Sequence, residues 1–171
     1  MQLILIGYMG SGKSVIGKEL AEKLKVPFID LDSYIEEHEQ ATIPEIFKQK
    51  GEIYFRKAEA NYVRQLVSTQ KSGIISLGGG TPCYAGNMQF LIDNCPNLFY
   101  LKASVQTLIE RLKEGKSSRP LLADLNDAGL EEYIRKHLFE RNFFYLQAPK
   151  NVVVDGKTVD EVVSEILKKL T

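Results

Sequence analysis

With 171 residues, the chain is long enough to bury a core of its own and short enough for a single domain spanning 1–171. Its 22 Lys and Arg balance 22 Asp and Glu, so it lacks the basic excess that marks a nucleic-acid or anionic-membrane binder. An apolar fraction of 44% against 26% charged residues excludes disorder, and no apolar run approaches the ~20 residues of a membrane span. Short apolar runs at Leu3–Ile6, Pro27–Leu31, Gly73–Leu77, Asn97–Leu101 and Val152–Val154 lack strict alternation, as expected of strands covered on both faces. Helical patterns lie between them. In chain order they begin near Ser14, at Thr42 (with Glu45 three residues on and Pro44 in the first turn), near Glu52, at Asn87, at Val105 and at Leu130. The last is the stripe Val159–Leu170, with Thr158 and Glu161 as a capping box. Strand–helix alternation predicts a three-layer α/β/α fold around a parallel five-stranded sheet, with ligands at the carboxyl ends of the strands. The stretch Glu114–Gly129 reads as a loop over that edge. Cys83 and Cys95 have no metal-ligand spacing and are expected to be reduced thiols. The short apolar start, with no basic segment before it, is read as a strand rather than a leader, so the expected location is the cytoplasm.

Gly7-Tyr8-Met9-Gly10-Ser11-Gly12-Lys13-Ser14 matches the P-loop pattern, and it sits where that pattern must sit, after a strand and opening a helix. The backbone N–H groups of such a loop point inward at phosphate oxygens, and the helix N-terminus adds partial positive charge. Gly10, Ser11, Gly12, Lys13, Ser14 and Val15 are therefore the expected ATP contacts, with Lys13 on the outer phosphates and the Ser14 hydroxyl offered to Mg²⁺. The motif indicates nucleotide binding without naming a reaction.

Asp30 and Asp32 close the second strand two residues apart, on one face of an extended segment. Beside a P-loop, such a pair suits a hydrated Mg²⁺ and a substrate hydroxyl; Asp32 alternatively suits a helix cap. Arg56 is spaced from Glu52 and Glu59 as in ordinary helix ion pairs. Arg141 falls on one side of a helix with Ile134, Leu138 and Tyr145, where a guanidinium needs an anionic partner or must snorkel to the rim. Arg119 alone would be a solvated loop charge, and Gly78–Gly80 alone a turn. His38 and His137 are expected on exposed helix faces without a catalytic role.

Taken in order, the P-loop, Asp30-x-Asp32, Gly51-Glu52-x-x-Phe55-Arg56-x-x-Glu59, Gly78-Gly79-Gly80, Arg119-Pro120-Leu121-Leu122 and Glu140-Arg141 with Tyr145 resemble the shikimate kinases, from residue 3 to about 154. The resemblance implies a fold like that of the nucleoside monophosphate kinases, with an acid-binding segment at about 33–62 and a lid at about 113–128. It implies transfer of the γ-phosphoryl group of ATP to the 3-hydroxyl of shikimate in aromatic amino acid biosynthesis, by a monomer using ATP and Mg²⁺. Asp32 would contact the substrate hydroxyls and act as base. Arg56 and Arg141 would grip the carboxylate, Gly78, Gly79 and Gly80 would line the pocket, and Phe47 and Phe55 would wall the ring. Arg119 would reach the transferring phosphate, and Arg111 would pack on adenine. It also implies the absence of an aspartate at the end of the third strand, where Ser76-Leu77-Gly78 stands. Mg²⁺ would then be held by Ser14, with Asp30 acting through water. A gluconate-kinase-like enzyme and a nucleotide-binding module without catalysis are the alternatives.

Overall fold

The computed structural model describes residues 1–115, 119 and 121–170. Five strands form one parallel sheet: β1 (Gln2–Ile6), β2 (Phe28–Asp30), β3 (Gly73–Ser76), β4 (Leu98–Lys102) and β5 (Lys150–Val153), in the spatial order β2-β3-β1-β4-β5. The central strands are apolar along most of their length because helices cover both faces; Leu3 to Ile6 and Leu98, Phe99 and Leu101 are all 0% exposed. Around the sheet lie α1 (Lys13–Leu24), α2 (Leu31–Glu39), α3 (Ile43–Thr69), α4 (Asn87–Asn94), α5 (Val105–Glu114), α6 (Asp127–Tyr145) and α7 (Val159–Lys168). Both expected capping boxes form, Thr42 with Glu45 and Thr158 with Glu161.

Three local features have physical reasons. The cap of α2 is Asp30, whose side chain accepts from the Ser33 amide, so the strand ends one residue early and Asp32 belongs to the first helical turn. The helices expected from Thr42 and from Glu52 both form; they run on from one another as α3 and are separated by a kink at Gly51, whose φ of 83° and ψ of 170° are non-helical. Helix α6 begins at Asp127 because Asn126 caps it through the Gly129 amide, which shortens the expected 114–129 loop. Lys116, Ser117, Ser118 and Pro120 of that loop lie outside the described residues.

β1 is flanked by β3 on one side and β4 on the other, so successive connections leave it in opposite directions. The crevice where such a sheet reverses its strand order opens at the carboxyl end of β1, where the P-loop begins.

Candidate active site

A cavity of about 620 Å³ opens at this edge of the sheet. Gly10, Gly12, Lys13, Ser14, Val15, Asp30, Asp32, Gly78, Gly79, Arg111 and Arg119, eleven of the residues singled out by sequence, line it.

The P-loop explains the first group. Gly12 has a φ of 95°, in the left-handed region that favours glycine, and it caps α1 without any side-chain bond, which leaves the first amides of the helix for an anion. Lys13 folds back across the loop, Nζ donating to the carbonyls of Gly7 (2.7 Å) and Tyr8 (3.1 Å). Burial lowers its pKa to about 8, against the opposing pull of Asp32 and Asp30. Ser14 Oγ donates to Asp30 Oδ2 at 3.4 Å, so hydroxyl and carboxylate share one wall. Arg111, on α5, donates to the Gly10 carbonyl at 3.1 Å and ties that helix to the loop. Ser11 is fully buried and is not among the residues lining the cavity; its amide donates to the Tyr8 carbonyl.

Asp32 stays open to solvent on the cavity side and is enclosed by protein elsewhere. That partial desolvation, reinforced by Asp30 and Glu59 and opposed by Lys13, raises its pKa to about 6. Arg119 also reaches the cavity, with Nη1 donating to the carbonyl of Gly115 at 3.0 Å.

The acid-binding candidates converge from behind. A Cβ placed on Gly78 would lie 3.0 Å from Asp32 Oδ1, one on Gly79 would lie 3.2 Å from Arg141 Nη1, and one on Gly80 would lie 3.1 Å from both Nη atoms of Arg56. Three consecutive glycines at the end of β3 thus touch, in turn, one carboxylate and two guanidinium groups from α2, α6 and α3. Any side chain there would push one of them aside.

Arg56 is held by Glu59 through Nη1 at 2.9 Å, while Glu52 stands 3.8 Å from its Nε, which is buried without a hydrogen-bond partner. Glu59 is itself buried, and its second oxygen accepts from Thr81 at 2.7 Å. The stripe proposed for α6 is real: Ile134, Leu138 and Tyr145 are buried, and Arg141 lies half-buried among them with its charge 5.5 Å from the ring of Tyr8. Tyr145 donates to the Gly79 carbonyl. Phe47 and Phe55 pack with ring centroids 4.6 Å apart. Phe55 is only 3% exposed, so Phe47 is the member of the pair with surface to offer.

His38 is exposed as expected, but His137 is half-buried. Its Nδ1 lies 3.5 Å from Tyr8 Oη, and burial lowers its pKa. Both cysteines are free, and burial raises both thiols to about 11. Sequence reasoning missed Tyr8, an unspecified position of the P-loop, and Tyr84, which stacks on Arg56. It also missed Lys157, Thr158, Val159 and Val162 at the far end of the cavity. The capping box at Thr158 was the available signal, because it places a helix N-terminus at the carboxyl end of β5, on the edge where the P-loop lies.

Comparison with known proteins agrees with this geometry. The family model described as shikimate kinase matches residues 9–171. A shikimate kinase of Flavobacterium psychrophilum is 46% identical over 99% of this chain and 98% of its own, and one of Flavobacterium johnsoniae is 47% identical over 97% and 96%. The crystal structure of the Bacteroides thetaiotaomicron shikimate kinase superposes with a TM-score of 0.91 at 35% identity, covering 98% of this chain and 97% of that one. That of Acinetobacter baumannii, solved in complex with shikimate, gives 0.85 at 32% identity over 99% and 95%. The chain belongs to the shikimate kinase family.

Proposed function

We propose that this protein carries out the family's reaction at the cavity described above, passing the γ-phosphoryl group of ATP to the 3-hydroxyl of shikimate, with the following division of labour. The P-loop amides and Lys13 hold the triphosphate, Lys13 exchanging its two carbonyl partners for phosphate oxygens. Arg56 and Arg141 take the carboxylate of the acid, where planar forks give bidentate, oriented hydrogen bonds that lysines would not. Gly78, Gly79 and Gly80 let the ring approach the backbone, with Phe47 beside it and Phe55 behind Phe47. Asp32 accepts the hydrogen bond of the reacting hydroxyl. Because phosphoryl transfer passes through a loose transition state, Asp32 orients more than it deprotonates. Arg119 leaves the Gly115 carbonyl to meet the charge on the transferring group, and the lid at about 113–128 excludes water as competing acceptor. Arg111 and Val15 border the adenine end. The segment at about 33–62 serves the acid, and the whole acts as one domain and as a monomer in the cytoplasm.

Magnesium suits the residues present. Among the described residues no cluster of three or more acidic, histidine or cysteine side chains could cage a metal, whereas Ser14 and Asp30 stand side by side on the cavity wall. Ser14 would hold the ion directly and Asp30 through water, and the ion would neutralise phosphate charge when it arrives with ATP.

The observation that supports the reading is the glycine triplet touched in sequence by Asp32, Arg141 and Arg56, since it brings one acceptor carboxylate and two carboxylate receptors to the mouth of a phosphate cradle. Neither a gluconate-kinase-like enzyme nor a module without catalysis is favoured by the family match. ADP release by the purified protein, measured against a panel of acceptors, is expected to depend on shikimate and not on gluconate or nucleoside monophosphates. Equal release with any of these would contradict the reading.

A further inference from the structure

Arg56 is gripped in its plane at one nitrogen by Glu59, which alone would let the guanidinium swing about that bond. Its flat face is covered by Tyr84, whose ring centroid lies 3.9 Å from Cζ, closer than the 5.2 Å to Phe55. Contact with the face and grip on the edge together fix the orientation of a planar cation.

The segment that carries Tyr84 is itself anchored from α3. Arg64, two turns along the helix from Arg56, donates to the Asn87 side chain at 2.9 Å and to the Ala85 carbonyl at 3.1 Å. Asn87 is fully buried and donates to the Thr81 carbonyl at 2.9 Å, and Thr81 closes the ring by donating to Glu59. Ala85 and Gly86 both have positive φ, 52° and 68°. A non-glycine residue in that region is sparsely populated and persists where the surroundings hold it. Two arginines of one helix thus act on the same segment: Arg64 fixes the backbone, and the backbone presents Tyr84 to Arg56.

We propose that Tyr84 is a positioning residue for the acid substrate, its ring holding the Arg56 guanidinium so that the free edge of the fork stays turned toward the carboxylate. This rests on the assignment of Arg56 given above, and the experiment separates the two. Steady-state kinetics on Tyr84→Leu are expected to show a KM for shikimate raised about five- to tenfold, with kcat and the KM for ATP within about twofold. Tyr84→Phe keeps the ring and is expected to restore the native KM.

The chain contains no tryptophan, so Tyr84→Trp would place a single fluorophore against the cation. That variant is expected to keep the native KM and to change its emission on titration with shikimate. An unchanged KM in Tyr84→Leu overturns the inference, as does a Phe variant as impaired as Leu. Should the Leu variant fail to fold, the Trp titration decides, and a signal indifferent to saturating shikimate overturns it. Arg56→Ala is measured alongside. If it leaves the KM for shikimate unchanged, the assignment of Arg56 falls and Tyr84 with it; if it raises the KM while Tyr84→Leu does not, only the role of Tyr84 falls.

Discussion

The nucleotide half of the cleft is built from consecutive backbone, Gly7 to Ser14, between one strand and one helix. The half proposed for the acid is built from side chains on three helices, and its members run from Asp32 to Arg141. In the first, geometry follows from a local fold, and most of its residues face the cavity directly. In the second, Arg56 and Arg141 reach the same place only because α3 and α6 are packed against the turn at Thr81–Cys83 that follows β3, and each is held by neighbours: Glu59 and Tyr84 for one, Tyr8 and Tyr145 for the other. On the proposed assignment, polyphosphate recognition is written in eight residues, while orientation of a small acid needs the tertiary structure.

The sharpest way to test this division is to remove the charge that belongs to the local half. Lys13→Ala is expected to lower kcat on the order of 10²–10³-fold, with the KM for shikimate little changed, because the lost interaction is with charge on the transferring group. A comparable rise in the KM for shikimate would show the halves to be less separate than described.

Gly79→Ala addresses the other half without removing a charge. Its methyl group would meet Arg141 Nη1 at 3.2 Å, with the Met9 amide at 3.5 Å behind, so the guanidinium must yield. The expected result is a KM for shikimate raised about tenfold, equivalent to about 1.4 kcal/mol, with a smaller change for ATP. Parallel increases for both substrates would place Gly79 on the phosphate side.

The smallest effect couples the two. Asp32 titrates near 6 and Lys13 near 8, so kcat/KM is expected to rise through pH 6 as Asp32 ionises and to fall above pH 8 as Lys13 loses its proton. Asp32→Asn should erase the acidic limb. The same shift has a stability consequence. A carboxyl raised from 3.8 to about 6 on folding penalises the folded state wherever it is charged, and the penalty is complete above pH 6 and gone below about 4. Asp32→Asn is therefore expected to stabilise the protein at pH 8 but not at pH 4. Because the group faces solvent on one side, the gain should be on the order of 1 kcal/mol or less. Thermal melts at the two pH values check it.

What could be read from the chain follows the same division. The sheet, the P-loop and both capping boxes were legible because each is encoded by neighbours in sequence. Helix α2 was not, since only Leu31 and Ile35 of its nine residues are buried, too short a stripe to show a helical period. Asp30 and Asp32 looked alike on paper; the structure makes one a cap and the other a member of the first turn because the strand stops a residue early. Pattern alone gave Arg56 an ordinary ion pair, and that pair with Glu59 exists. What pattern could not supply was the stacking on Tyr84 or the approach to Gly80, which depend on contacts across more than twenty positions.

The break in α3 carries a last implication. No atom comes within 4 Å of where a side chain at residue 51 would begin, yet its dihedral pair is comfortable only for glycine. Phe47 stands on the rod before this elbow and Arg56 on the rod after it. The angle between the proposed wall and fork is thus written at a position that touches neither, so the mould proposed for the acid can be reshaped by one methyl group placed where there is ample room for it.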